Sequence, residues 1–334
     1  MKRVVAIAAL LAVVTPCLAA DSPKQVTFAK AFAPIVQKKC QECHQPKSIA
    51  PMFLITYQEA RPWARSIKER VATRQMPPWH IDRTVGVQHF KNDMSLSDEQ
   101  LDTIVRWVDA GAPQGDPKDM PAAKHWPDDQ GWNFAAQFGQ KEPDLIIKSY
   151  DFTMPKVSQD AWDKRVTPSG ITEPRWVRAI EIRPETLPGR KLTHHAIAYL
   201  EQTEPGGSAP AGLPVPFMEW AVGKQGEMMR PDTGKLLLPG SKFHWDIHYS
   251  QAGEEITSKE EMGIYFYPKG QEPKYRDTLS LVPAALGTMD NRTNTVPIAE
   301  CLPQPRVGAR TDTVQQHIHL RGSAMMGEAL CPER

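Results

Sequence analysis

Two sets of residues in this chain have the types and spacing that chemistry needs. The first is Cys40-Gln41-Glu42-Cys43-His44, a Cys-x-x-Cys-His run in which one histidine directly follows the second thiol. At that spacing both thiols can add across the vinyl groups of one haem while the histidine ligates the iron. A redox dithiol or half of a zinc site is the alternative, yet no second cysteine pair lies near. Iron then needs a sixth ligand. Met76, in Arg74-Gln75-Met76-Pro77-Pro78-Trp79-His80, is the candidate, held on a Pro-stiffened loop between the second and third predicted helices; its thioether would raise the potential relative to a second imidazole. His80 and His89 compete for that role, while Met52 and Met94 are assigned to packing or surface.

The second set is a group of histidines on predicted strands. Residues 192–200 read LTHHAIAYL, with His194 and His195 side by side. Strand neighbours face opposite ways, so the pair can share an ion only where the strand twists or bulges, one ring binding through Nδ1 and the other through Nε2. In KFHWDIHYS, His244 and His248 share a face but stand ~13 Å apart along the strand, which makes one of them a bystander. In QQHIHLRG, His317 and His319 lie ~7 Å apart on one face, a spacing that suits chelation.

These residues need elements to hold them. Phe28, Phe32, Ile35 and Val36 recur at helical spacing ahead of the cysteine motif, and YQEARPWARSIKERVATRQ reads as a second amphipathic helix. A third is bounded by a capping box at Ser97 and Gln100, carries a stripe of Leu101, Ile104, Val105 and Val108, and is stopped by Gly111 and Pro113. Residues 22–118 thus form a small all-α domain, and 119–144, rich in Pro, Asp and Gly, a linker. From Leu145 onward, short alternating runs between Pro and Gly turns predict an antiparallel β-sandwich over 145–300.

The first 20 residues read as a secretory signal, with two basic residues, an apolar run from Val4 to Val14, and cleavage after Ala19 or Ala20. That run is too short to span a bilayer. Cys17 as a lipid-attachment site is the lesser alternative. The expectation is a periplasmic or secreted protein that is not transmembrane, in which Cys301 and Cys331 are candidates for a disulfide. With 40 basic against 39 acidic residues and no long run of one sign, the chain has no electrostatic footprint for nucleic acid.

Three short helices around Cys-x-x-Cys-His resemble the class I cytochrome c fold. The three histidine motifs, in this order, resemble the copper type II, ascorbate-dependent monooxygenases, the group of peptidylglycine alpha-hydroxylating monooxygenase. That resemblance implies a jelly-roll-like β-sandwich in which His194, His195 and His248 hold an electron-transfer copper. It assigns His317 and His319, with a distant methionine, to an oxygen-binding copper. His244 has no counterpart, and Met325 and Met326 stand too close to His319 along the chain to match the family's methionine, so residues 301–334 are expected to be the start of a second, truncated sandwich. Together the resemblances imply an exported c-type haem protein that passes electrons to a copper module hydroxylating a C–H bond with O2. Its partners would be a redox protein or small reductant and a small-molecule substrate. An electron-carrier cytochrome with an inactive β docking module is the alternative, and a structural or hydrolytic zinc site a third.

Overall fold

The computed structural model describes residues 26–277 apart from 47, 49, 91–92, 125–130, 205–213 and 225. The expected signal segment with Cys17, and Cys301, His317, His319, Met325, Met326 and Cys331, lie outside the described residues. Among those described, no helix is long and apolar enough to cross a membrane.

Ahead of Leu145 the described regular elements are all helical. A π-helical turn (Phe28–Phe32) runs into α1 (Ala33–Lys39), burying Phe28, Phe32 and Val36. The expected second helix is divided into α2 (Tyr57–Ala60), a 3-10 turn (Arg61–Trp63) and α3 (Ala64–Ala72). Pro62 is the cause: it has no N–H to give, and its ring crowds the turn before it. The last helix, α4 (Asp98–Asp109), begins in the expected capping box of Ser97 and Gln100. Its buried contacts differ from the expected stripe. Ile104 and Trp107 are buried, whereas Leu101, Val105 and Val108 are only partly so. Trp107 packs on Phe32 with ring centroids 3.9 Å apart, and its indole N–H donates to the carbonyl of Pro113 at 3.0 Å, so the polar end of the ring is satisfied. These side chains share one core with Leu54, Ile67, Val71 and Leu96.

The rest is strand. In chain order come β1 (Leu145–Lys148), β2 (Phe152–Met154), β3 (Ala161–Asp163), β4 (Val166–Pro168), β5 (Arg175–Pro184), a single helical turn α5 (Gly189–Leu192) and β6 (Thr193–Glu201). β7 (Val215–Ala221), β8 (Glu227–Met228), β9 (Thr233–Leu237), β10 (Lys242–Tyr249), β11 (Ile256–Ser258), β12 (Glu260–Phe266) and β13 (Tyr275–Arg276) follow. One sheet runs β1-β12-β5-β9-β13, with β8 also on β5; a second runs β3-β10-β6-β7, with β4 also on β10; β11 and β2 form a separate pair. Every pairing is antiparallel except β13 with β9.

The two larger sheets bury one apolar core. β5 and β12 supply Val177, Ile180, Met262 and Ile264 from one side, and β6 and β10 supply Ala196, Ala198, Phe243, Trp245 and Ile247 from the other. Alternation leaves His195, Ile197 and Tyr199 of β6, with His244 and Asp246 of β10, on the outer face of the second sheet. The stretch read as a linker is anchored in its second half: Glu181 of β5 accepts from the backbone N–H groups of Asn133 and Phe134 and from the amide of Asn133, and Tyr265 donates its hydroxyl to the same carboxylate.

One acid is fully enclosed. Glu260 has no exposure, and burial, with a smaller push from neighbouring Glu261, raises its carboxyl from an ordinary 4.5 to about 8 against the opposing hydrogen bond of Thr193. The native state therefore holds a proton over that interval that the unfolded chain releases. Glu260 should contribute stability fully below pH 4.5, progressively less as pH rises through about 8, and nothing further above it. Urea unfolding of wild type and Glu260→Gln across this range should show the gap shifting in favour of the amide as pH rises; parallel curves would contradict it.

Candidate functional site

The outer face of the second sheet resolves the paradox of adjacent histidines. β10 pairs with β6 in regular antiparallel register from Lys242↔Glu201 to His248↔His195, and then the register slips: Tyr249 lies opposite Thr193, so His194 has no residue across from it. His194 is the extra residue of a β-bulge. The alternation is broken there, Thr193 returns to the core side, and His194 joins His195 on the outer face.

Both then meet His248. Ring centroids are 5.5 Å apart for His194 and His195, 4.9 Å for His194 and His248, and 5.0 Å for His195 and His248. Nδ1 of His194 lies 3.1 Å from Nδ1 of His248. One ring nitrogen from each of the three falls within 4.8 Å of the others. Two nitrogens bound to one ion at about 2.1 Å can stand no more than about 4.2 Å apart, so the widest pair must close by under an ångström or so. Side-chain torsions cover that without moving the strands. The donor set fits an ion that takes imidazole, such as copper or zinc.

A carboxylate completes the arrangement. Nε2–H of His248 donates to Asp160, at 2.9 Å from Oδ2. A neutral imidazole with its proton on Nε2 keeps its lone pair on Nδ1, the nitrogen that faces His194. Trp162, opposite His248 in the β3–β10 pairing, stacks on the same ring at 4.4 Å with the planes 2° apart. Asp160 and Trp162 thus fix the tautomer and the plane of His248. Neither belongs to a motif legible in the sequence. His244 stands apart from the cluster and its Nε2 pairs with Glu201, as befits a bystander.

The cysteine motif occupies the turn after α1. The backbone N–H groups of Cys43 and His44 both donate to the carbonyl of Cys40, at 3.2 and 3.0 Å. This turn keeps both thiols and the imidazole in one short, locally bonded segment. Nδ1–H of His44 donates to the carbonyl of Met52 at 3.2 Å, leaving Nε2 as the free ligand atom. Burial holds the His44 imidazole below its ordinary value in spite of that hydrogen bond, which favours the neutral form a metal needs. Burial also raises both thiols, Cys40 to about 12, whereas a dithiol oxidoreductase depends on a lowered one. The donors fit a covalently held haem.

Met76 is 44% exposed and lines a cleft of about 500 Å³ with Val71, Trp79, His80, Arg83 and Leu96. The Cys-x-x-Cys-His turn is not part of that lining. The two share a core, in which Cys40 and Met52 pack against the cluster containing Val71 and Leu96. His80 is therefore as well placed at the cleft as Met76, while His89 is exposed and lies outside its lining.

No protein-family model matches the chain, and no curated protein matches it.

If Asp160 orients His248, replacing it by Ala should weaken metal binding roughly 10- to 100-fold, while His248→Ala should abolish high-affinity binding. Competitive titration of copper against a chelator reads both. Equal affinity in wild type and Asp160→Ala would remove Asp160 from the site.

Proposed function

We propose that this protein is an exported c-type haem protein whose β-sandwich carries a histidine-bound copper, with electrons passing from the first module to the second. The observation that carries the reading is the bulge at His194, which gathers three imidazoles on one face and leaves a carboxylate behind one of them. We assign the helical part to the class I cytochrome c fold and the sandwich to the jelly-roll-like copper type II monooxygenases, on the motifs that each part carries.

Haem and copper, when bound, supply one-electron redox chemistry. Cys40 and Cys43 tether the haem, and His44 presents Nε2 to the iron with its other nitrogen held by Met52. Met76 is the sixth ligand in this reading, with its thioether favouring the reduced state. His194, His195 and His248 bind the copper, and Asp160 keeps the proton of His248 on Nε2. Trp162 covers one face of His248 and shields that ring from water. The monooxygenase resemblance extends the reading to hydroxylation of a C–H bond at a second copper held by His317 and His319. Each turnover would take up O2, two electrons and two protons and release an alcohol and water.

Stopped-flow spectroscopy of the haem bands provides the test. Protein with ferrous haem, loaded with copper and mixed with O2, should reoxidise its haem faster than the copper-free protein, and His248→Ala should behave as copper-free. Identical rates in all three would favour the electron-carrier alternative, in which the sandwich only docks a partner. A metal that binds wild type tightly but is zinc, with no effect on haem reoxidation, would favour a structural site.

A further inference from the structure

We infer that Glu260 is a positioning residue of the histidine site: reaching across the core from the opposite sheet, it holds Thr193 and so fixes the bulge that turns His194 and His195 toward His248. Its consequence for a bound ion rests on the metal reading proposed above, whereas the contact itself does not.

Thr193 is the residue at which β6 regains its register after the bulge, opposite Tyr249. A bulge leaves one residue unpaired and interrupts the ladder at that point. Contacts outside the β6–β10 ladder can therefore help decide which residue is extruded. Thr193 is buried, and its Oγ1 lies 2.7 Å from Oε1 of Glu260, on β12 of the facing sheet, and 3.1 Å from the carbonyl of Gly189 in α5. Slipping the bulge by one residue would bring His194 or Leu192 to this place. Neither can supply a hydroxyl between a carboxyl and a carbonyl.

Both partners of Thr193 are themselves fixed. The Glu260 backbone is clamped by Ser149, whose Oγ accepts from its N–H at 2.8 Å and whose N–H donates to its carbonyl at 2.8 Å. Gly189 lets α5 come close to β11: a Cβ there would stand 2.1 Å from Oγ of Ser258. Thr193 thus sits between two points set by other strands.

Proton counting accounts for the acid. The Thr193 hydroxyl has one proton for two acceptors, and a protonated carboxyl makes up the shortfall by donating its own. The second carboxyl oxygen of Glu260, Oε2, is buried with no hydrogen-bond partner among the described residues, a place that a neutral acid tolerates far better than a carboxylate. The raised titration of this group agrees with that assignment.

The test uses full-length, haem-loaded protein with Glu260→Leu, Glu260→Gln and Thr193→Val, each checked for folding by circular dichroism. In a copper titration, Glu260→Leu and Thr193→Val should weaken binding roughly tenfold or more, and Glu260→Gln, which can still donate to Thr193, should stay near wild type. At saturating copper the Leu and Val variants should also change the electron paramagnetic resonance spectrum, which a loss of stability alone leaves unmoved in the folded fraction. Wild-type affinity and an unchanged spectrum in folded Glu260→Leu or Thr193→Val would overturn the inference. Should wild type itself bind no copper, the metal reading fails, and crystal structures of the same variants decide the positioning role. A bulge lost or displaced from His194 would support it, and a bulge retained there would refute it.

Discussion

The site depends on a single broken register. A regular strand cannot turn two consecutive side chains to the same face, and the slip between His248 and Tyr249 in the β6–β10 ladder removes that prohibition at one place. The candidate site of the sandwich follows from it. His194 and His195 converge on His248, and Thr193 is carried into the core, where it meets the facing sheet.

Rigidity comes from what lies beneath. β10 alternates a buried, largely apolar inner row, Phe243, Trp245, Ile247 and Tyr249, with an outer row that includes His244, Asp246 and His248. The inner row is locked in the shared core, so the outer row is held without its own packing. Asp160 and Trp162 then supply what a sheet face lacks, a hydrogen-bond acceptor and an apolar wall for the His248 ring. The helical module works differently. Its cysteine turn is closed by hydrogen bonds within a few residues and tied to the chain beyond it by the Met52 carbonyl and by Leu54, which donates to the carbonyl of His44 and accepts from the amide of Gln41.

Local patterns made much of this legible. The alternation in Thr193–Glu201 predicts a strand, the side-by-side histidines can share an ion only through a twist or a bulge, and the capping box at Ser97 marks the start of α4. What escaped the sequence is long-range. Asp160 and Trp162 reach His248 only through the β3–β10 pairing, and a three-residue strand has too little alternation to announce itself. Glu260 looks like an ordinary acid until the facing sheet closes over it. The anchoring of Asn133 and Phe134 on Glu181 is hidden in a Pro- and Gly-rich stretch for the same reason. Pro62 was a readable local signal: its missing N–H divides what the apolar spacing presents as one helix.

The most direct measurement is the copper-to-haem ratio of the full-length protein matured with covalent haem and reconstituted with copper, read by elemental analysis beside electron paramagnetic resonance. A ratio near one or two and a nitrogen-rich type II copper signal are expected, the part due to the histidine triad disappearing in His194→Ala. A ratio near zero with haem intact, or a signal unchanged in His194→Ala, would contradict it.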